Sequence, residues 1–390
     1  MLAACTTPSA SQSTPTADLS TSTPAQIDTP FVPATNTPAP TATPTVLATA
    51  IPGYPAEGYG PTDFPDDVDP LTGLKVDDPE ILNRRPIVIK VENLPREDRP
   101  QSGLSSADIV YEYYTEYGTT RFAAVFYGQD AEKVEPIRSA RYSDTNFIQM
   151  YKAIFVFGSA YAPILQRLVN SDFSSRLILE NSSSCPAVCR DNSTGSNFLM
   201  ADTSALQSYL KTRGVDNSKQ DLTGMYFNAT APEGGQAADQ VFVRYSGAIY
   251  NRWDYDPATN KYYRYVDTKN DTSGNDAEYT QLIDAATGEP ISADNLVIIQ
   301  VPHTNTDSRP GYEVLDVSIL GTGPAYIARN GQLYEVKWER EAKTDVLHLV
   351  DDQGNEFAFN PGQTWIELMT ANTTMTQDGS TWKFNFLADW

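Results

Sequence analysis

Apolar and polar positions recur with different periods along the chain, and the changes of period mark its elements. Residues 86–93 hold the apolar run Ile-Val-Ile-Lys-Val between a proline and a turn residue, which predicts a buried strand. Residues 107–116 and 120–127 flank Tyr117-Gly118-Thr119 and predict a hairpin. In its first strand Asp108, Val110, Glu112 and Tyr114 share a face through the period of two. Residues 140–151, 163–169 and 203–212 carry helical patterns, the last with Asp202 placed to cap it and Gly214 to stop it. The apolar run 153–157 ends in Gly158-Ser159-Ala160. Strands alternating with helices predict an α/β-type N-terminal domain over residues 66–230.

After Gly234-Gly235 the pattern turns to short strands: 241–245, 248–255, 261–266, 295–301, 313–318, 324–329, 332–339, 346–350 and 356–360. Turn sequences such as Asp256-Pro257-Ala258-Thr259-Asn260 and Arg329-Asn330-Gly331 separate them. A mostly β C-terminal domain over residues 235–390 is expected. The fold class is therefore α+β. The aromatic stretch Tyr250, Trp253, Tyr255, Tyr262, Tyr263 and Tyr265 fits strands whose alternate rings fill the core. Rings left on the outside would suit a sugar or a protein partner.

Composition sets residues 6–65 apart. Twelve of the 27 prolines fall within residues 1–65, among Thr, Ser and Ala, and the first cation is Lys75. Such a segment cannot bury enough apolar surface to offset its chain entropy, so a disordered tether is expected. Ahead of it, Leu2-Ala3-Ala4-Cys5 has the form of a bacterial lipobox, in which Cys5 is the lipidation site. A secretory signal also needs a basic and an apolar segment before the cleavage site, and only Met1 precedes Leu2. A start upstream of Met1 is therefore expected, with residues 1–5 the remnant of a signal peptide. No run of about 18 apolar residues occurs, so attachment to the cell membrane would be through lipid, on the extracytoplasmic face.

The net charge of −22 argues against nucleic acid, which needs a basic face. With Cys5 lipidated, Cys185 and Cys189 remain as a pair, and in an exported chain a small structural disulfide is expected, with free thiols the alternative. Only two histidines are present, so no metal site and no cofactor are expected, and a Ser-His-Asp triad finds no Gly-x-Ser-x-Gly elbow.

The polar candidates are Asp108 and Glu112 on one strand face, Arg121 early in the next strand, and Arg138 with Arg141 three residues apart on a predicted helical turn. Arginines beside two carboxylates suit a phosphate or pyrophosphate, with Mg²⁺ on the carboxylates. The same residues also suit an arginine–carboxylate network that staples the hairpin to the following helix. In layout, Pro136-Ile137-Arg138-Ser139-Ala140-Arg141 is loosely similar to the Pro-x-x-x-Arg segment of LytR-CpsA-Psr envelope transferases.

A wider set of segments carries a more specific likeness. Pro70-Leu71-Thr72-Gly73-Leu74, Arg99-Pro100-Gln101-Ser102-Gly103-Leu104-Ser105, Ala107-Asp108-Ile109-Val110-Tyr111-Glu112, Thr120-Arg121-Phe122 and Pro136–Arg141 occur in that order. Gly321-Thr322-Gly323, Trp338-Glu339-Arg340 and Asn360-Pro361-Gly362-Gln363-Thr364-Trp365-Ile366 follow. Together, over residues 66–370, they resemble the YerB-like lipoproteins of bacteria. The resemblance implies a lipoprotein built of two domains of unknown function, and no established activity. The chain departs from the family pattern around residues 180–200. The expectation is a lipid-anchored binding or scaffolding protein of the cell envelope, with an envelope glycan or protein as partner. The alternative is a Mg²⁺-dependent phosphotransferase or hydrolase acting on a polyprenyl-pyrophosphate-linked precursor.

Overall fold

The computed structural model describes residues 51–190, 198–388 and 390, which belong to one compact unit. Cys5 and most of the expected tether lie outside the described residues. Strands β1 (Ile87–Glu92), β2 (Ile109–Tyr114) and β3 (Thr120–Phe126) form where apolar runs were expected, with β3 antiparallel to both neighbours. Helix α1 (Asp144–Met150) is shorter than the predicted 140–151. Its first residues are held otherwise: Ala140 N donates to Ser159 O at 2.8 Å, and Arg141 N donates to Asp144 Oδ2 at 2.6 Å. Strand β4 (Ile154–Val156), helix α2 (Ala162–Val169) and strand β5 (Leu177–Ile178) make a parallel crossover at the sheet edge.

Helix α3 (Thr203–Arg213) starts at the expected residue and runs one residue past the expected end, stopping at Gly214. Asp202 accepts from Ala205 N at 2.9 Å, and Gly214 takes the left-handed conformation (φ 62°) that ends the helix. Asp202→Ala should cost about 1 kcal/mol in urea denaturation, the ordinary worth of such a cap.

All three helices among the described residues lie before residue 214, and every later regular element is a strand, so the fold is α+β. The strand that sequence patterning passed over is central. Thr364–Met369 runs parallel to β2 on one side and to Asn295–Gln300 on the other. Through it an eleven-stranded sheet continues across both halves of the chain. The expected strand 356–360 divides its bonds instead: Phe357 N donates to Leu349 O and Phe359 N to Tyr226 O. A seven-stranded sheet, with Gln240–Arg244, Tyr250–Asp256 and Lys261–Asp267 at its centre, packs over one face of the large sheet. Val110, Phe122, Trp253, Trp365 and Trp382 fill the layer between them. The other face, with Tyr111, Tyr113 and Val125, is covered by Phe147 of α1 and Ile164 and Leu168 of α2.

The tether boundary expected at residue 65 needs correction for residues 51–65, which dock on the folded unit. Tyr59 N donates to Phe227 O at 2.9 Å and Phe227 N returns to Tyr59 O, while Phe64 packs edge-on against Phe227. Gly58 and Gly60 sit at positive φ with no room for a Cβ against Phe227 O and Met225 O.

Candidate functional site

The large sheet separates the candidate residues by face. Asp108, just before β2, accepts from Tyr127 N at 2.5 Å and Gly128 N at 3.2 Å. Beside it is Asp69, which accepts from Leu71 N at 2.9 Å and Thr72 Oγ1 at 3.1 Å. Burial raises Asp69 to about 6, and burial together with the Asp69 charge pushes Asp108 well up. Glu112 points into the layer between the sheets. It accepts from Thr120 Oγ1 at 2.6 Å, Asn93 Nδ2 at 3.0 Å and Arg264 Nη2 at 2.5 Å. Arg264 also donates to Glu367 at 3.2 Å and lies 4.4 Å from the Trp365 ring centroid. Glu112, Arg264 and Glu367 form a fully buried triad, with Glu367 raised to about 8 by burial and by the Glu112 charge.

Arg121 is the register partner of Tyr113, so the pleat turns both to the helical face. There Arg121 Nη1 donates to Ser139 O at 2.8 Å, and Arg141 Nη1 reaches the same carbonyl at 3.2 Å. Arg138 pairs with Glu92 and, at 3.2 Å, with Asp98. Arg138 and Arg141 both precede α1, so they do not share a helical turn as expected. Lys90, Tyr113 and Asp144 form a buried cluster behind the arginines: Lys90 Nζ donates to Tyr113 Oη and to Asp144 Oδ1, and Tyr113 Oη donates to Asp144. Burial lowers Lys90 to about 7. The three arginines thus gather on one face while Asp108 and Glu112 lie elsewhere, engaged by backbone amides and by Arg264. A Mg²⁺-phosphate centre built from all five does not form. Among the described residues no group of three or more His, Cys, Asp and Glu is placed to hold a metal.

The arginine face opens into a cavity of about 390 Å³ between α2 and the loop that carries Arg309 to Val314. Arg141 and Glu116 lie in its wall, and Ser139 Oγ and Ser159 Oγ meet there at 2.7 Å. Its rim holds Tyr117, Tyr161 and Tyr312, which are 59%, 50% and 47% exposed. These are the three tyrosines that stand out as exposed among the described residues. Arg309 covers Tyr312 at 3.9 Å from the ring centroid. Glu313 fixes the loop by accepting from Tyr114 Oη at 2.8 Å and Tyr117 N at 2.5 Å. A larger cavity of about 750 Å³ lies elsewhere, walled by acidic residues including Glu233, Glu335 and Asp352. Its tyrosine hydroxyls are committed to backbone, Tyr226 to Glu57 O and Tyr334 to Pro232 O. It has the character of a seam between segments rather than of a ligand cleft.

Sequence reasoning singled out Arg121 and Arg141 but passed over Glu116, Tyr117, Tyr161 and Tyr312. A signal for the tyrosines was present: Tyr117 and Tyr312 sit in the turn sequences Glu-Tyr-Gly and Pro-Gly-Tyr, where no strand neighbour buries a ring. The aromatic stretch 250–265 alternates instead, with Tyr250, Trp253 and Tyr262 buried and Tyr255, Tyr263 and Tyr265 half-buried. Cys185 and Cys189, the latter within the strand Val188–Arg190, are joined by a disulfide, and neither lines the cavity.

Comparison with known proteins agrees with the fold and supplies no activity. Residues 71–216 match the N-terminal domain of a protein of unknown function (DUF3048), and residues 241–366 match its C-terminal domain. A Bacillus subtilis protein named "Putative lipoprotein YerB" is 28% identical over 316 residues, which is 77% of this chain and 85% of that one. The crystal structure of YerB protein from Bacillus subtilis superposes with a TM-score of 0.65 at 26% identity, covering 77% of this chain and 96% of the other.

Proposed function

Because the chain belongs to the DUF3048 family, carrying both its N- and C-terminal domains, we propose that it is a lipid-anchored envelope protein whose tyrosine-rimmed cleft binds an oligosaccharide. Cys5 would carry the lipid and the Ser/Thr/Pro segment would hold the folded unit off the membrane, on its extracytoplasmic side. Among the described residues no helix is long and apolar enough to cross a membrane.

The observation that carries the reading is the gathering of Tyr117, Tyr161 and Tyr312 around one polar-floored cavity. An exposed ring wastes apolar surface on water unless a partner covers it. Sugar rings offer C–H faces that stack on aromatic side chains, and hydroxyls that suit Ser139, Ser159 and Arg141. The volume lies at the low end of the range of about 300–1,000 Å³ typical of small-ligand sites.

Calorimetric titration of the full chain with peptidoglycan fragments and with chitotetraose tests the reading. Micromolar to millimolar binding is expected. Tyr161→Ala combined with Tyr312→Ala should weaken it about tenfold or more, from about 1 kcal/mol per lost ring contact, with no change in melting temperature. No binding by the wild type, or full binding by the double variant, would overturn the reading.

A further inference from the structure

Glu116 occupies an unusual position in the cleft. Arg141 donates to it from Nε at 2.5 Å and from Nη2, a bidentate grip, and Arg121 Nη2 stands 3.8 Å from the same carboxylate. Both guanidinium groups are held from behind by carbonyls: Arg121 by Ser139 O, and Arg141 by Ser139 O and Ala140 O at 3.2 and 2.9 Å. Their orientation therefore does not depend on Glu116. Arg141, in the cavity wall, presents a prepared set of N–H donors filled at present by one carboxylate of the chain itself, with Arg121 adding its charge next to that carboxylate.

That carboxylate is also the member of the group best able to leave. It belongs to the β2–β3 turn, where Tyr117 adopts a left-handed conformation (φ 51°) that costs a non-glycine residue about 1 kcal/mol or more. The other acid in the cavity wall, Glu313, is committed to Tyr114 Oη and Tyr117 N and holds the loop. Behind the arginines, Lys90 adds a buried cation matched by Asp144.

We infer that the oligosaccharide taken by the cleft carries an anionic group, a carboxylate or a phosphate, which displaces Glu116 from Arg121 and Arg141. The inference rests on the oligosaccharide reading above and narrows it to an acidic glycan. Exchange of one anion for another leaves no half-buried guanidinium unpaired, so the costly step of breaking such a pair is avoided. Planar bidentate recognition is what arginine provides for both carboxylate and phosphate. A neutral glycan leaves Glu116 in place and meets only the rings and hydroxyls. Glu116 thus imposes a selection cost on every anionic ligand, and removing its charge should return that cost as affinity.

The test compares three probes on the full chain by calorimetry: chitotetraose, a tetrasaccharide of galacturonic acid, and a mannose oligosaccharide phosphorylated at C6. The wild type is expected to prefer at least one acidic probe over the neutral one by about tenfold, and which one separates carboxylate from phosphate recognition. Glu116→Gln should tighten the preferred acidic probe about tenfold and leave the neutral probe unchanged. Arg141→Gln should abolish the preference. The wild-type comparison needs no variant, so it stands even if one of them folds poorly. Equal binding of all three probes by the wild type, with the Tyr161→Ala/Tyr312→Ala variant still losing it, would overturn the anionic inference while sparing the glycan reading. Failure of every probe to bind would overturn both.

Discussion

Arg264→Ala is expected to destabilise the protein by about 3–5 kcal/mol, a large part of the stability of an ordinary domain. The side chain is fully buried between the sheets and holds Glu112 of β2 at 2.5 Å and Glu367 of the central strand Thr364–Met369 at 3.2 Å. Its guanidinium lies 4.4 Å from the Trp365 ring centroid and 5.1 Å from that of Trp253. Truncation removes that packing and leaves two buried carboxyls without their shared cation, which is the costly way to break an ion pair. Replacing all three members, Arg264→Met with Glu112→Gln and Glu367→Gln, should recover most of the loss, because no buried charge is then stranded. Urea denaturation of the wild type and the two variants checks this. A cost below about 1 kcal/mol for Arg264→Ala would mean that water reaches the triad and that it does not fasten the two sheets.

The triad also shows where the sequence stopped being legible. Strand β1, the β2–β3 hairpin and helix α3 were readable because their signals are local: apolar runs, a Tyr-Gly turn, and Asp202 and Gly214 at the ends of a helical pattern. Thr364–Met369 has no alternation, because both its faces are buried, and Glu367 within it reads as a surface residue. Its place beside β2 depends on a pairing some 250 residues away in sequence. The same limit applied to the site. That Val110, Glu112 and Tyr114 share a strand face was legible from the period of two, although Asp108 falls before the strand begins and lies beside Asp69 instead. That Glu112 meets a second sheet while Arg121 meets the helices was not, since parity fixes relative facing and says nothing of what covers each side. Tyr117 and Glu313 come together across 196 positions through one hydrogen bond, and no local pattern announces such a contact.

Stability should fall as pH rises from 5 to 7, opposite to what salt-bridged carboxylates would give. Burial raises Glu367 from 4.5 to about 8, with the Glu112 charge adding to the shift. Burial likewise raises Asp69 from 3.8 to about 6 and Asp108 well above 3.8. A carboxyl whose value is higher folded than unfolded binds its proton more tightly in the folded state. Its contribution is complete below the unfolded value and is lost as pH climbs toward the folded one. Each such group costs about 1.4 kcal/mol per pH unit inside its window, so the Glu367 contribution between pH 5 and 7 is on the order of 3 kcal/mol. Lys90 acts in the other direction, but only above its folded value of about 7, where the folded state has already released a proton that the unfolded chain keeps up to about 10.5. The interval from 5 to 7 therefore isolates the carboxyls. The net charge of −22 adds a repulsion that also grows with pH, and variants separate the two causes. Glu367→Gln and Asp108→Asn keep the shape of the side chain while removing its titration. Each should flatten the decline in unfolding free energy, with Asp69 and Glu92, which burial raises to about 6 and about 7, supplying the part that remains. If both variants keep the full wild-type slope, Glu367 and Asp108 are not the source of the decline.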